Sequence, residues 1–219
     1  MTELRPRAES HETELRYEVE SLNSVTARVA GLEPLRESSH LIRDEWFIPS
    51  DVASYERHES WLATGRAAPV RVRSVGVGDS DSWRCWIEVK RPVEGSGLSA
   101  SVETRVRVES SDRAGDVLAV LGYALVAVVE KSRREFLLAG GIMCCLDDYG
   151  TSGRIVEIES TQAGENSGVR GRLHSVAVAV LNGEGVELRE PVPLRMIRAA
   201  LRKAAIDGPE IVRVEGKGN

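Results

Sequence analysis

Aromatic residues are scarce, 5% of the chain with two Phe. The four Trp, at 46, 61, 83 and 86, read as core or rim residues rather than as a base-stacking platform, although Trp83 and Trp86 stand near a strand start where a ligand could stack. Cysteine is scarcer still. Cys85, Cys144 and Cys145 have neither zinc spacing nor the even count of a disulfide framework, which excludes a zinc module and a disulfide-stapled fold. A basic excess is also missing: 29 Lys and Arg against 34 Asp and Glu, net −5, argues against broad nucleic-acid binding. No apolar run approaches the roughly 18 residues of a membrane span. The polar opening MTELRPRAES lacks the apolar stretch of a signal peptide. No membrane partner is therefore expected, and the cytoplasm is the expected location. Long repeats, low-complexity tracts and linkers are absent too, so residues 1–219 read as one domain.

What is present is alternation. In residues 12–20, Glu-Thr-Glu-Leu-Arg-Tyr-Glu-Val-Glu, every even position is charged, and Leu15, Tyr17 and Val19 are apolar. Successive strand side chains point to opposite faces, so Glu12, Glu14, Arg16, Glu18 and Glu20 form one charged row. Such a row is costly unless it meets water, metal or a charged ligand. Alternation recurs at 70–73, 83–90, 101–109 and 154–160, the run 124–138 carries Lys131, Arg133 and Glu135 on one face, and further strands are expected at 40–48 and 142–148. Helices are expected from Ser24, near 51–63 (capped by Ser50 or Asp51, with Trp61 and Leu62 inward), at 112–122 (Asp112 as cap, Gly122 as stop), and at 169–182 and 194–205. Pro191 and Pro193 precede the last helix, loops are expected at 94–99 and 163–168, and Gly140-Gly141 and Tyr149–Gly153 read as tight turns. About eight strands with helices between and after them predict an α+β fold. Its charged face either meets solvent or lines a closed barrel.

The signs are informative. Carboxylates gather at the two ends of the strand series, Glu12 and Glu14 first, then Asp147, Glu157 and Glu159. Basic rows occupy the middle: Arg71, Arg73, Lys90, Arg105, Arg107, Lys131 and Arg133. If the sheet closes, first and last strands become neighbours and an acidic cluster faces a basic one. Clustered carboxylates suit a hard cation such as Mg2+ or Mn2+. Converging Arg and Lys donors suit a polyphosphate chain. Together they describe a site for a metal–triphosphate complex and attack on phosphorus.

The residues also carry a resemblance. Glu12-x-Glu14-x-Arg16-Tyr17-x-Val19, then Ser21-Leu22-x-x-Val25, resembles the Glu-x-Glu-x-Lys opening of the CYTH family, the triphosphate tunnel metalloenzymes. Further similar motifs follow in order. They are Phe47 to Asp51 with Arg71-x-Arg73, Glu88-x-Lys90, Leu118-x-x-Leu121-Gly122-Tyr123, Glu130-Lys131-x-Arg133, Leu146-Asp147-Asp148, and Gly153-x-x-x-Glu157-Ile158-Glu159. The resemblance covers residues 12–160 and is loose beyond. It implies an eight-stranded antiparallel β-tunnel with helices outside, core 11–160 and C-terminal helices at about 168–205. By the same resemblance Glu12, Glu14, Asp147, Glu157 and Glu159 bind one or two Mg2+ or Mn2+ ions. Arg71, Arg73, Lys90, Lys131 and Arg133, with Arg105 and Arg107 less securely, grip the phosphates, and Arg16 and Lys90 are the candidate catalytic side chains. Activities in the family include thiamine and inorganic triphosphatases and class IV adenylyl cyclases, and dimers are common. The implied partner is a phosphorylated small molecule, and a homodimer is an open expectation.

Departures bear on the chemistry. Arg16 stands at the family's lysine, keeping the charge but offering a fork that does not readily act as a base. A second register, Glu18-x-Glu20, would put Leu22 at the lysine position. In the fifth strand Ser101 precedes Glu103, where the family tends to carry Arg-x-Glu. Hydrolysis of a triphosphate, cyclisation of ATP, and binding of a polyphosphate or diphosphate without turnover all remain readings of this row. Outside it, His11, His40, His58 and His174 read as surface or capping residues, Asp148 as part of a turn, and Cys144-Cys145 as core packing with Cys145 toward the channel.

Overall fold

The computed structural model describes residues 10–63, 69–77, 82–92, 100–160, 167–188, 192–207 and 212–214. The loop at 94–99, most of that at 163–168, Pro191, and the side chains of His11, Leu62 and Pro193 lie outside the described residues. The period-2 segments form strands β1 (Ser10–Glu18), β2 (Arg36–Pro49), β3 (Val70–Val77), β4 (Trp83–Pro92), β5 (Ala100–Val108), β6 (Tyr123–Leu138), β7 (Ile142–Asp148) and β8 (Arg154–Ser160). Their order around the sheet is β6-β2-β3-β4-β5-β1-β8-β7, and β7 pairs back to β6. Every one of these pairings is antiparallel, so the eight strands close into a barrel. First and last strands are neighbours, with Glu14 opposite Glu159 and Arg16 opposite Glu157.

Closure turns the alternation inside out. The charged rows face the barrel interior, and the apolar rows face outward under helices. Helices α1 (Leu22–Ala30) and α4 (Ser167–Leu181) cover β1, β7 and β8. There Val25, Val29, Leu173 and Val180 meet Leu15, Tyr17, Leu146, Val156 and Ile158 in the main core. Helix α3 (Ser111–Val120) sets Ala114 and Leu118 on Phe47, Val70 and Val72. Helix α5 (Val192–Asp207) sets Ile197 and Leu201 on Ile48, Val126 and Ala127. Each buried Val, Leu, Ile or Phe among these contributes about 1.5–3 kcal/mol, so the hydrophobic stabilisation sits in the jacket and leaves the interior free for charge.

Several local expectations shift. Helix α1 starts two residues before Ser24 because Ser21, not the later Ser/Asn signal, accepts from Asn23 N–H at 3.3 Å. Ser110 rather than Asp112 caps α3, accepting from Arg113 N–H at 3.3 Å. The helix expected at 51–63 is split. Ser50–Val52 is a 3-10 turn, and α2 runs Tyr55–Ala63. Gly122 follows α3 with φ +83, a left-handed stop that glycine adopts without strain. Two short strands were not expected: β9 (Val186–Glu187) beside β1, and β10 (Val212–Val214) parallel to β6. Stretches of two or three residues are too short to show a period.

His58 is the clearest departure. It is fully buried rather than on the surface, 5.8 Å from the Trp61 ring, and neither ring nitrogen has a hydrogen-bond partner. Burial lowers its pKa, so the neutral imidazole is the resident form.

Candidate functional site

Because β1 alternates, Glu12, Glu14 and Arg16 emerge on one inner row, and all three are buried. Register brings Glu159 of β8 to Glu14. Oxygens of Glu12, Glu14 and Glu159 all lie within 4.8 Å of one another. Lys90 on β4 donates to Glu12 Oε2 at 2.6 Å and reaches Glu103 at 3.4 Å. Glu159 lies beside Glu12 in this cluster, and two ionised carboxylates at that range repel, so the pair holds a proton at neutral pH. Burial and the adjacent Glu12 push Glu159 up to about 8. Burial opposes the charge on Glu12 as well, but the Lys90 ammonium and the neighbouring Glu159 carboxyl hold it at about 2. Three hard oxygen donors sharing a proton where a cation would neutralise them fit Mg2+ or Mn2+.

The next layer is an ionic cluster around Asp147, which is wholly buried. Lys131 Nζ donates to its Oδ2 at 2.6 Å and to the Tyr149 hydroxyl at 3.1 Å. Arg133 clamps the same carboxylate with Nε and NH2, each at 2.6 Å, and also bonds Glu157. Arg16 contacts Glu14 and lies 3.5 Å from Glu157. Burial works against the Glu157 charge, yet Arg133, Lys131 and Arg16 hold it well below the ordinary range. Burial lowers the Lys131 pKa, with Arg133 adding to the effect. Asp147 and Glu157, expected with the metal ligands, therefore stand outside the three-carboxylate cluster, their oxygens taken by cationic donors. Cys145 shares this interior, where burial raises its thiol pKa beside Arg133, while Cys144 packs in the core. Asp148 belongs to the turn, accepting from Gly150 N–H at 2.8 Å.

On β3 and β4 the row again carries both signs. Arg73 gives Nε and NH2 to the two oxygens of Asp44, each at 2.7 Å. Arg71 bonds Glu88, with Nε at 2.9 Å, and lies over the Trp46 ring. Burial would raise the Asp44 pKa, but Arg73 and Arg71 hold it far below the usual range. Arg105 is exposed, 4.7 Å over the Trp86 ring and 3.9 Å from Glu88, and Arg107 is exposed as well. Neither joins the buried set. The expected separation of acidic and basic walls is thus corrected. Arg71, Arg73, Lys90, Lys131 and Arg133 each meet a carboxylate inside the barrel. The sequence reading assigned no site role to Asp44, Glu88, Glu103 or Tyr149. Glu88 and Glu103 share the inward phase of Lys90 and Arg105, a signal that could have found them.

Solved structures share this architecture at low identity. A Pyrococcus horikoshii protein aligns at 17% identity with a TM-score of 0.67, over 86% of this chain and 99% of that one. A Vibrio parahaemolyticus protein described as a "putative adenylate cyclase" aligns at 16% identity with a TM-score of 0.63, over 88% and 100%. A Hippeastrum protein with a dominant triphosphatase activity aligns at 15% identity with a TM-score of 0.51, over 78% and 87%. No protein-family model and no curated protein matches the sequence. The likeness is one of fold, and it agrees with the tunnel architecture implied by the ordered motifs.

Proposed function

We propose that this chain is a metal-dependent phosphohydrolase acting on a triphosphate, inorganic or organic, held inside the barrel. The observation that carries the reading is the close trio of Glu12, Glu14 and Glu159, set in a closed interior that also holds six basic side chains, Arg16, Arg71, Arg73, Lys90, Lys131 and Arg133. Glu12, Glu14 and Glu159 would hold Mg2+ or Mn2+, which supplies Lewis-acid charge and a more acidic bound water. Lys90, partly exposed between Glu12 and Glu103, has ammonium donors that can turn to a phosphoryl oxygen. Arg16 and Arg133 offer fixed guanidinium donors for charge growing on the phosphoryl oxygens, an electrostatic role that needs no proton transfer. Attack by water on the terminal phosphorus breaks its bond to the bridging oxygen and yields orthophosphate and the shortened chain.

A second reading, binding without turnover, is favoured by one observation: Arg16, at the lysine position of the motif, is engaged by Glu14 and Glu157. Phosphorus NMR of tripolyphosphate, thiamine triphosphate and ATP incubated with the protein and either metal separates the outcomes. Orthophosphate release, lost on omitting metal, is the expected result. Pyrophosphate with cyclic AMP from ATP would make the chain a cyclase. Saturable binding with no product would leave the second reading in force.

A further inference from the structure

The guanidinium of Arg73 already has an occupant. Its fork meets both oxygens of Asp44 at 2.7 Å, the bidentate geometry that a guanidinium also uses on phosphate. Asp44 is 2% exposed and is anchored in the barrel wall, on β2, opposite Arg73 on one side and Val129 on the other. Arg71 approaches the same carboxylate at 3.8 Å while bonding Glu88. Glu88 in turn lies 3.8 Å from Arg73. Two arginines and two carboxylates thus form a closed, neutral square on β2, β3 and β4. In the ring of strands, β3 stands diametrically opposite β8, which carries Glu159. An anion running between the carboxylate trio and this square finds Arg71 and Arg73 already compensated.

We propose that Asp44 is an internal competitor for the phosphate chain, and that it sets which anions the barrel accepts. The inference rests on the polyphosphate reading above. A ligand reaches the bidentate Nε and NH2 edge of Arg73 only by drawing those donors from a buried carboxylate. Singly or doubly charged anions such as orthophosphate gain too little to do so, and a chain of several phosphoryl groups gains enough. The alternative is that Asp44 merely aims Arg73 at the ligand. The two roles predict opposite results when the charge is removed and the shape is kept.

Titration calorimetry with tripolyphosphate and orthophosphate, metal-free in EDTA, tests this on wild type and Asp44→Asn. A competitor predicts that Asp44→Asn binds tripolyphosphate about tenfold more tightly, as expected for freeing a charge-assisted bidentate donor, and discriminates less against orthophosphate. Because Glu88 remains near Arg73, the variant keeps a partner for that cation. If Asp44→Asn does not fold, Glu88→Gln carries the same test, since its carboxylate engages the same two arginines. Wild-type binding with equal or weaker binding by the folded variant overturns the inference and leaves the polyphosphate reading standing. No binding by wild type or variant, either metal-free or with Mn2+ and a non-hydrolysable imido-triphosphate, removes both.

Discussion

Changing Asp147 to asparagine is expected to destabilise the folded chain by about 3–5 kcal/mol, the penalty for removing one partner of a buried ion pair. Its carboxylate is wholly inaccessible and takes three charge-assisted bonds, one from Lys131 and two from Arg133. The amide keeps the shape but leaves two buried cations with Glu157 and the Tyr149 hydroxyl as their nearest compensation. In a chain of this size the loss corresponds to a fall of roughly 6–20 °C in Tm. Lys131 supplies a second readout. Its pKa is already depressed, so the folded variant favours the neutral amine over the ammonium more strongly than the unfolded chain does. A depressed lysine pKa costs stability at low pH, and that cost is relieved as pH rises from the folded value toward the unfolded one. The Asp147→Asn penalty should therefore shrink in alkaline buffer. Urea unfolding at neutral pH and at pH 9 checks both effects. A penalty under about 1 kcal/mol, in the range of a surface pair, would contradict the buried cluster.

Uptake of Mn2+ is expected to release close to one proton at neutral pH and to tighten about tenfold per pH unit up to about pH 8. The proton is the one held between Glu12 and Glu159. With Glu159 raised to about 8 by burial and by Glu12, the metal-free pair keeps it throughout the neutral range. The same shift fixes the sign of the stability change. Glu159 stabilises the metal-free fold below the ordinary carboxylate value, and that contribution is lost as pH rises to about 8. Glu12, held at about 2, acts oppositely, losing its contribution as pH falls from the ordinary value toward 2. The metal-free Tm should then peak near about pH 5 and fall toward pH 8, and Mn2+ should restore it there. Glu159→Gln imitates the protonated state. It should keep the metal-free Tm, abolish proton release, and weaken Mn2+ by roughly a hundredfold or more, since outer-shell changes alone cost 10–100-fold. Calorimetry in buffers of different ionisation enthalpy counts the protons. Uptake with no proton release would contradict the shared proton.

The barrel was legible because one period ran through it. Leu15 and Tyr17 against Glu14 and Arg16 state which face is dry, and the repeat of that phase in at least six segments makes closure a way to shelter the charges. The neighbourhood of Glu14 and Glu159 followed from closure alone. What failed was pairing within the charged face. Arg43-Asp44-Glu45-Trp46 has three polar residues in a row, so alternation does not mark Asp44 as the inward member. The bulge between Trp46 and Phe47 also shifts the β2–β6 register, which no local pattern records. Glu88 sat in plain view beside Lys90, yet its bond to Arg71 depends on cross-strand register, and the basic rows therefore looked unopposed. His58 was readable in principle. It lies three residues before Trp61, on one face of α2, but a lone histidine in a charged helix gives weak hydrophobic signal.

The proposed function makes the carboxylate trio a metal centre inside a phosphate tunnel. Anomalous diffraction at the manganese edge, from crystals grown with Mn2+ and a non-hydrolysable imido-triphosphate, tests it most directly. The predicted result is an ion about 2.1 Å from oxygens of Glu12, Glu14 and Glu159, with the analogue's phosphoryl groups on Lys90, Arg16 and Arg133 inside the barrel. An analogue bound on the outer surface, or manganese bound away from these three carboxylates, would contradict it.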